Sequence, residues 1–153
     1  MSEPEDPRER RLVLRLLSYW RDICGDQDFP RAADVDSSAI ADMWDYCFII
    51  DIASGSPKLT HFGNWHAEFY GADMSGKALA DLDKDTLAER STDYLGEVIQ
   101  RKIPITYGNA LTEPGGRKIL YRSIMMPLSD DGETLTGIFG GSNCKAADDA
   151  DET

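Results

Sequence analysis

Basic residues are scarce in this chain. Lys and Arg number 16 against 28 Asp and Glu, a formal net charge of −12. Such a field repels phosphate backbones and anionic lipid heads, so no nucleic-acid partner is expected. Long apolar runs are missing too. None approaches the ~20 residues of a membrane span, and no membrane insertion is expected. The opening Met-Ser-Glu-Pro-Glu-Asp has neither the basic nor the apolar region of a signal peptide. Cysteine is rare, odd in number and dispersed: Cys24, Cys47 and Cys144 form no Cys-x-x-Cys pair. That pattern excludes a disulfide framework or zinc site and reads as reduced intracellular thiols. Histidine is rarer still, with only His61 and His66. No Ser/His/Asp set has catalytic spacing, so no enzyme and no metal site are expected. These absences point to an acidic, cytoplasmic domain.

What remains is an ordinary globular composition. The 153 residues are 41% hydrophobic and 29% charged. A single domain of this size buries roughly 70% of its unfolded surface and needs no staple. Residues 1–7 and the acidic end from 143 to 153 are expected as disordered tails. Between them, 8–45 is read as flanking helices and 46–142 as the core, with no repeat and no linker.

Periodicity supplies the elements. From Arg8 to Cys24, Leu12/Val13, Leu16/Leu17, Trp20 and Ile23/Cys24 recur at spacings of three and four, which predicts an amphipathic helix stopped by Gly25. A short helix is expected from Asp36 or Ser37 as N-cap, carrying Ile40, Met43 and Trp44. Tyr46 to Ile52 and Lys58 to Asn64 read as two strands joined by Ser-Gly-Ser-Pro. Short helical pieces follow between Trp65 and Leu82, punctuated by Gly71 and Gly76. Thr86 with Glu89 forms a capping box for a helix bearing Leu87, Tyr94/Leu95 and Val98/Ile99. Strands are expected again near 103–112, 117–128 and 134–142. The class is α+β, with a five-stranded antiparallel sheet, inserted short helices and an N-terminal flanking amphipathic helix.

That order of elements resembles a PAS domain. Glu68-Phe-Tyr-Gly-Ala-Asp-Met-Ser-Gly-Lys-Ala-Leu-Ala-Asp-Leu resembles the PAS signature that follows the second strand. More narrowly, the chain is similar to a bacterial family of mostly single-domain PAS proteins, the fifth PAS-type family. The matching residues are Tyr19-Trp20-Arg21, Phe29-Pro30-Arg31, Val35-Asp36 leading to Ile40, and Gly63 ahead of Phe69-Tyr70-Gly71. The hairpin Met126-Pro127-Leu128-Ser129-Asp130-Asp131-Gly132 completes the set. The resemblance spans about residues 12–141 and implies the PAS fold, with the first and last strands adjacent at the centre. It also implies a sensory or scaffolding role and no reaction. Haem-binding PAS domains take their axial histidine from the long helix between strands two and three, and positions 86–101 hold none. Flavin-binding light sensors place a reactive cysteine just after the second strand, whereas Cys144 is expected beyond the last one. Neither haem nor flavin is expected, and no other cofactor is implied.

Several motifs tempt other readings. Gly71-Ala-Asp-Met-Ser-Gly-Lys77-Ala78 is one residue short of a phosphate loop, but Ala78 lacks the hydroxyl that would hold Mg²⁺. An enzyme acting on nucleotides through that loop is the remote alternative. Phe48, Phe62, Trp65, Phe69, Tyr70, Tyr107 and Met125 could line a ligand cavity between sheet and helices, with Tyr121 and Ser123 fixing a polar ligand. The same side chains would form the core of an empty domain. His66 at the start of a short helix reads as a surface or capping residue. The acid-rich stretch from Asp73 to Glu97 reads as a solvated face. The stripe of the first helix must lie on the sheet, pair with a second molecule, or do both. Since PAS domains commonly dimerise through such helices, a homodimer with Leu12, Leu16 and Trp20 near the contact is expected. The favoured function is a stand-alone signalling module whose partners are other signalling proteins. The alternative is a sensor holding a small molecule in the cavity.

Overall fold

An apolar stripe needs a surface to lie on, and helix α1 (Pro7–Cys24) finds it within its own chain. The computed structural model describes residues 7–147. Of the tails expected at 1–7 and 143–153, residues 1–6 and 148–153 lie outside them. Leu12, Val13, Leu16 and Trp20 are buried against strands β4 (Lys118–Leu128) and β5 (Gly137–Ala146). The Trp20 indole N–H donates to the Pro127 carbonyl at 2.9 Å. Leu12, Leu16 and Trp20, expected at a dimer contact, are thus core residues of one protomer. Gly25 ends the helix with a φ of +58°, as its lack of a Cβ permits.

The helix expected from Asp36 or Ser37 does not form. Residues 36–43 make successive turns, with Ala39, Ile40 and Met43 each donating three residues back. The Asp36 carboxylate accepts from both the Ser38 N–H and its hydroxyl. Short polar side chains that bond locally compete with helical pairing in this way. Ile40 and Met43 still enter the core beside α1.

Strands β1 (Cys47–Asp51), β2 (Lys58–Phe62), β3 (Ile105–Thr112), β4 and β5 form one antiparallel sheet in the order β2-β1-β5-β4-β3. The first and last strands meet at the centre, as expected. β5 starts later than its sequence pattern indicates and runs on to Ala146, paired with β4 as far as Ile119↔Ala146. Cys144 therefore sits inside a strand opposite Tyr121, and residues 143–146 are strand where a tail was expected. Continued backbone pairing, which side-chain pattern does not report, sets that boundary.

Both faces of the sheet are covered. Cys47, Ile124, Met126, Leu128 and Phe139 pack with α1. Phe48, Ile50, Met125 and Ile138 pack with the inserted helices. Side chains alternate with period two along each strand, so one strand feeds two cores. The insert consists of α2 (Asn64–Tyr70), a 3₁₀ turn (Leu79–Asp81), α3 (Leu87–Thr92) and α4 (Leu95–Arg101). The Thr86 hydroxyl accepts from the Glu89 N–H at 3.2 Å, while the Glu89 carboxylate bonds the Asp85 N–H instead of closing the box on Thr86. The single helix expected here breaks at Asp93–Tyr94, where Tyr94 leaves helical backbone at φ −102°, ψ 23°. No helix among the described residues is long and apolar enough to cross a membrane.

Candidate functional site

Between the insert and the sheet lies a chain of buried polar side chains, and each member comes from a different element. His66 stands on α2 and is 2% exposed, enclosed by Phe48, Phe62 and Trp65. Its Nε2 lies 2.9 Å from the Tyr46 carbonyl, just ahead of β1. A carbonyl can only accept, so Nε2 carries the proton. Ser142 of β5 places its hydroxyl 3.4 Å from the same nitrogen and accepts from the Ser91 hydroxyl of α3 at 2.9 Å. The Ser91 carbonyl accepts from the Ser123 hydroxyl of β4 at 2.8 Å. Since Ser123 has donated, the 2.8 Å contact with Tyr94 has the phenol as donor. Serine at 91, 123 and 142 is fully buried.

The electrostatics follow from burial. Desolvation lowers the His66 pKa to about 4, against the opposing pull of the Tyr46 carbonyl. Desolvation raises that of Tyr94, against its bond to Ser123. Both groups are neutral near pH 7. The arrangement ties α2, α3 and α4 to β4 and β5 through hydrogen bonds, so a shift of one helix must break or re-form a bond to the sheet. It contains no charged acid or base positioned to move a proton.

The sequence candidates separate into three groups. Phe48, Phe62 and Met125 are buried in one cluster with Ile50, Tyr94 and Val98, against which Tyr70 packs. Tyr121 belongs to a second cluster with Leu87, Leu111 and Ile119, flanked by Trp65 and Phe69. Ser123 is in the polar chain. Tyr107 is 45% exposed on strand β3, its ring against Tyr94 and its hydroxyl donating to Glu97 at 2.8 Å. It closes the edge of the insert and does not line the interior.

His66, read from sequence as a surface or capping residue, is buried. The signal was its spacing within α2: it lies four residues before Tyr70, on the side of the helix that packs on the core. Ser142 shares strand parity with Ile138, which was also readable. That Ser91 and Tyr94 would meet these residues was not.

The loop resembling a phosphate cradle is committed elsewhere. The Gly76 N–H donates to the Leu59 carbonyl at 2.7 Å, and the Lys77 carbonyl accepts from Leu59 at 2.9 Å. These bonds extend the edge of β2, so the glycine N–H does not point into an anion site. Gly71, at φ +100°, is the C-cap of α2.

A second cluster fastens the β3–β4 turn. Glu113, 8% exposed, accepts from the Leu87 N–H at the start of α3 at 2.8 Å. It pairs with Arg117 at 2.6 Å, whose guanidinium lies 3.6 Å above the Phe69 ring. Desolvated charges require such pairing.

The model of a PAS domain family matches residues 9–141. No curated protein matches. Among solved structures, a light-oxygen-voltage domain studied with a flavin analogue is similar in fold, with 10% identity and a TM-score of 0.53. It covers 76% of this chain and 86% of its own. The light-state Aureochrome1 light-oxygen-voltage domain gives 12% identity and 0.52, covering 77% and 93%. A PAS domain from Colwellia psychrerythraea gives 15% and 0.50, covering 71% and 96%. At these identities the likeness is one of fold alone.

Proposed function

The chain belongs to the PAS domain family, whose members are sensory and signalling domains, and from that premise we propose a non-catalytic module whose output is contact with other signalling proteins. One observation carries this reading. The place between sheet and insert is taken up by the domain's own side chains: Phe48, Ile50, Met125 and Ile138 are at most 2% exposed. The polar groups among them bond one another from His66 to Tyr94. A core that satisfies itself offers a ligand neither space nor unpaired donors. The commitment of the Gly76 N–H to β2 supports the absence of nucleotide chemistry.

The test combines a visible absorption spectrum with native mass spectrometry of the purified chain. A colourless protein at its bare mass is expected, and a pull-down from the native cell should capture partner proteins. A retained small molecule would favour instead a sensor with its ligand between sheet and helices. Phosphate release from nucleoside triphosphates, lost in Lys77→Ala, would overturn the non-catalytic reading.

A further inference from the structure

The two edges of the sheet are treated differently. Along β2 the chain covers its own edge: Leu59 bonds Gly76 and Lys77, and the Leu79 N–H donates to the Pro57 carbonyl at 3.0 Å. At the other end of the strand order stands β3. Just beyond it the Glu113 N–H donates to the Arg117 carbonyl at 2.8 Å. In that register the odd-numbered residues of β3 bond β4, and the even-numbered ones turn their N–H and carbonyl groups outward. The Ala110 N–H has the same phase, since the Asn109 side chain takes it up at 2.8 Å. Among the described residues, nothing pairs with the outward backbone of Thr106, Gly108 or Thr112. Edge strands are commonly guarded by charge, proline or a bulge. Residues 105–112 hold no charged residue and no proline, and their pairing with β4 runs without a register shift. Thr106 through Ala110 are exposed. Two of the exposed large apolar side chains, Ile103 and Tyr107, stand on this edge and just ahead of it.

Charge decides what this edge can receive. Copies of a chain with net charge −12 repel one another, and an uncharged strand is where that repulsion is least. The strand is also complementary to itself. We propose that β3 pairs antiparallel with β3 of a second copy, about a two-fold axis at Gly108. Gly108 then faces its own counterpart, and Thr106 faces Ala110 of the second copy, each pair exchanging two main-chain bonds. Tyr107 faces Asn109 between them. This register uses the whole strand, puts no side chain at the axis and opposes no like charges. The two sheets become one, with α1 on one side and the insert on the other in both copies, and such a contact closes at two molecules. Asn109 is the guard. Its side chain must release the Ala110 N–H before the second copy can take it, which keeps the association weak.

The test is sedimentation velocity of the pure full chain at concentrations rising to about 1 mM. A monomer–dimer equilibrium is expected, with a Kd of about 0.1 mM, as suits a small contact. Ala110→Pro removes an N–H that faces away from β4, so the melting curve should stay in place while association falls about tenfold. Thr106→Glu, at an exposed outer position, should have a like effect by placing a charge on the edge of both copies. Asn109→Ala frees the Ala110 N–H and should tighten association about threefold. A monomer at the highest concentration overturns the proposal. So does a dimer that Ala110→Pro and Thr106→Glu leave intact, or one that Asn109→Ala does not tighten. Partner proteins captured by a chain that is monomeric alone, and lost in Ala110→Pro, would assign the edge to a foreign strand instead. The contact reading is judged separately: a monomer that still captures partners overturns the pairing of β3 and leaves that reading in place.

Discussion

Leu16 lies directly over Gly141: a Cβ built on that glycine would meet the leucine Cδ1 at 2.5 Å. Helix α1 approaches β5 this closely because the strand presents no side chain there. The same contact makes α1 part of the protomer and sets what its substitution will do.

Leu16→Glu places an unpaired carboxylate in a fully buried position. Loss of the folded state is expected, not a folded monomer. Trp20→Phe keeps an aromatic ring, smaller than the indole, and leaves the Pro127 carbonyl without its donor, the lost bond alone costing about 1–3 kcal/mol. Circular dichroism melting of both variants checks this; a folded, monomeric Leu16→Glu would return α1 to a dimer contact.

Gly140→Ala should destabilise more than Gly141→Ala. At 140 the new methyl meets the Ile124 backbone and the Phe48 ring, whereas at 141 the closest atom is the end of a flexible leucine. Overpacking against backbone costs about 1–3 kcal/mol. Equal urea midpoints for the two variants would contradict the packing described.

Stability should fall on mild acidification because of His66. Its folded pKa, about 4, is lower than the unfolded value of 6.5. Above pH 6.5 neither state is protonated, and the full stability is present. As pH falls from 6.5 towards 4 the unfolded chain takes up a proton that the native core refuses, a loss of about 3 kcal/mol by pH 4. His66→Gln keeps an N–H for the Tyr46 carbonyl and should flatten this window. Urea unfolding of both proteins between pH 7 and pH 4 decides it; parallel profiles would show that His66 is not the titrating group.

Glu113→Gln keeps an acceptor for the Leu87 N–H but removes the charge that pairs with Arg117. A loss of about 1 kcal/mol is expected, since Glu113 is buried while the Arg117 side chain is half exposed and screened by solvent. Hydrogen exchange should quicken at the start of α3 and in the β3–β4 turn before it does in β1. Unchanged exchange would mean that the clip contributes nothing to the docking of the insert.

The extent of sequence legibility differs by element. The stripe of α1 was plain from Leu12 to Trp20, because its period is local. The three-residue bonds of 36–43 were hidden, since Ile40 and Met43 suit a helix and a turn equally well. The helix break at Asp93 was hidden too: Leu87, Tyr94/Leu95 and Val98/Ile99 share one helical face on either side of it. Tyr94 leaves the helix where its hydroxyl reaches Ser123, 29 residues ahead.

Composition and periodicity by themselves determined the acidic α+β domain, its sheet, its insert and the amphipathic character of α1, because burial of alternating or three-and-four patterned residues is a property of short stretches. The resemblance carried by the Glu68–Leu82 run and its companions indicated the strand order. Tertiary structure alone decided which surface α1 covers, since an apolar stripe is satisfied equally by its own sheet or by a second copy. It alone joined His66 through Ser142, Ser91 and Ser123 to Tyr94. Hydrogen bonds between residues tens of positions apart leave no period in the chain; they exist only once the sheet and helices have closed around them.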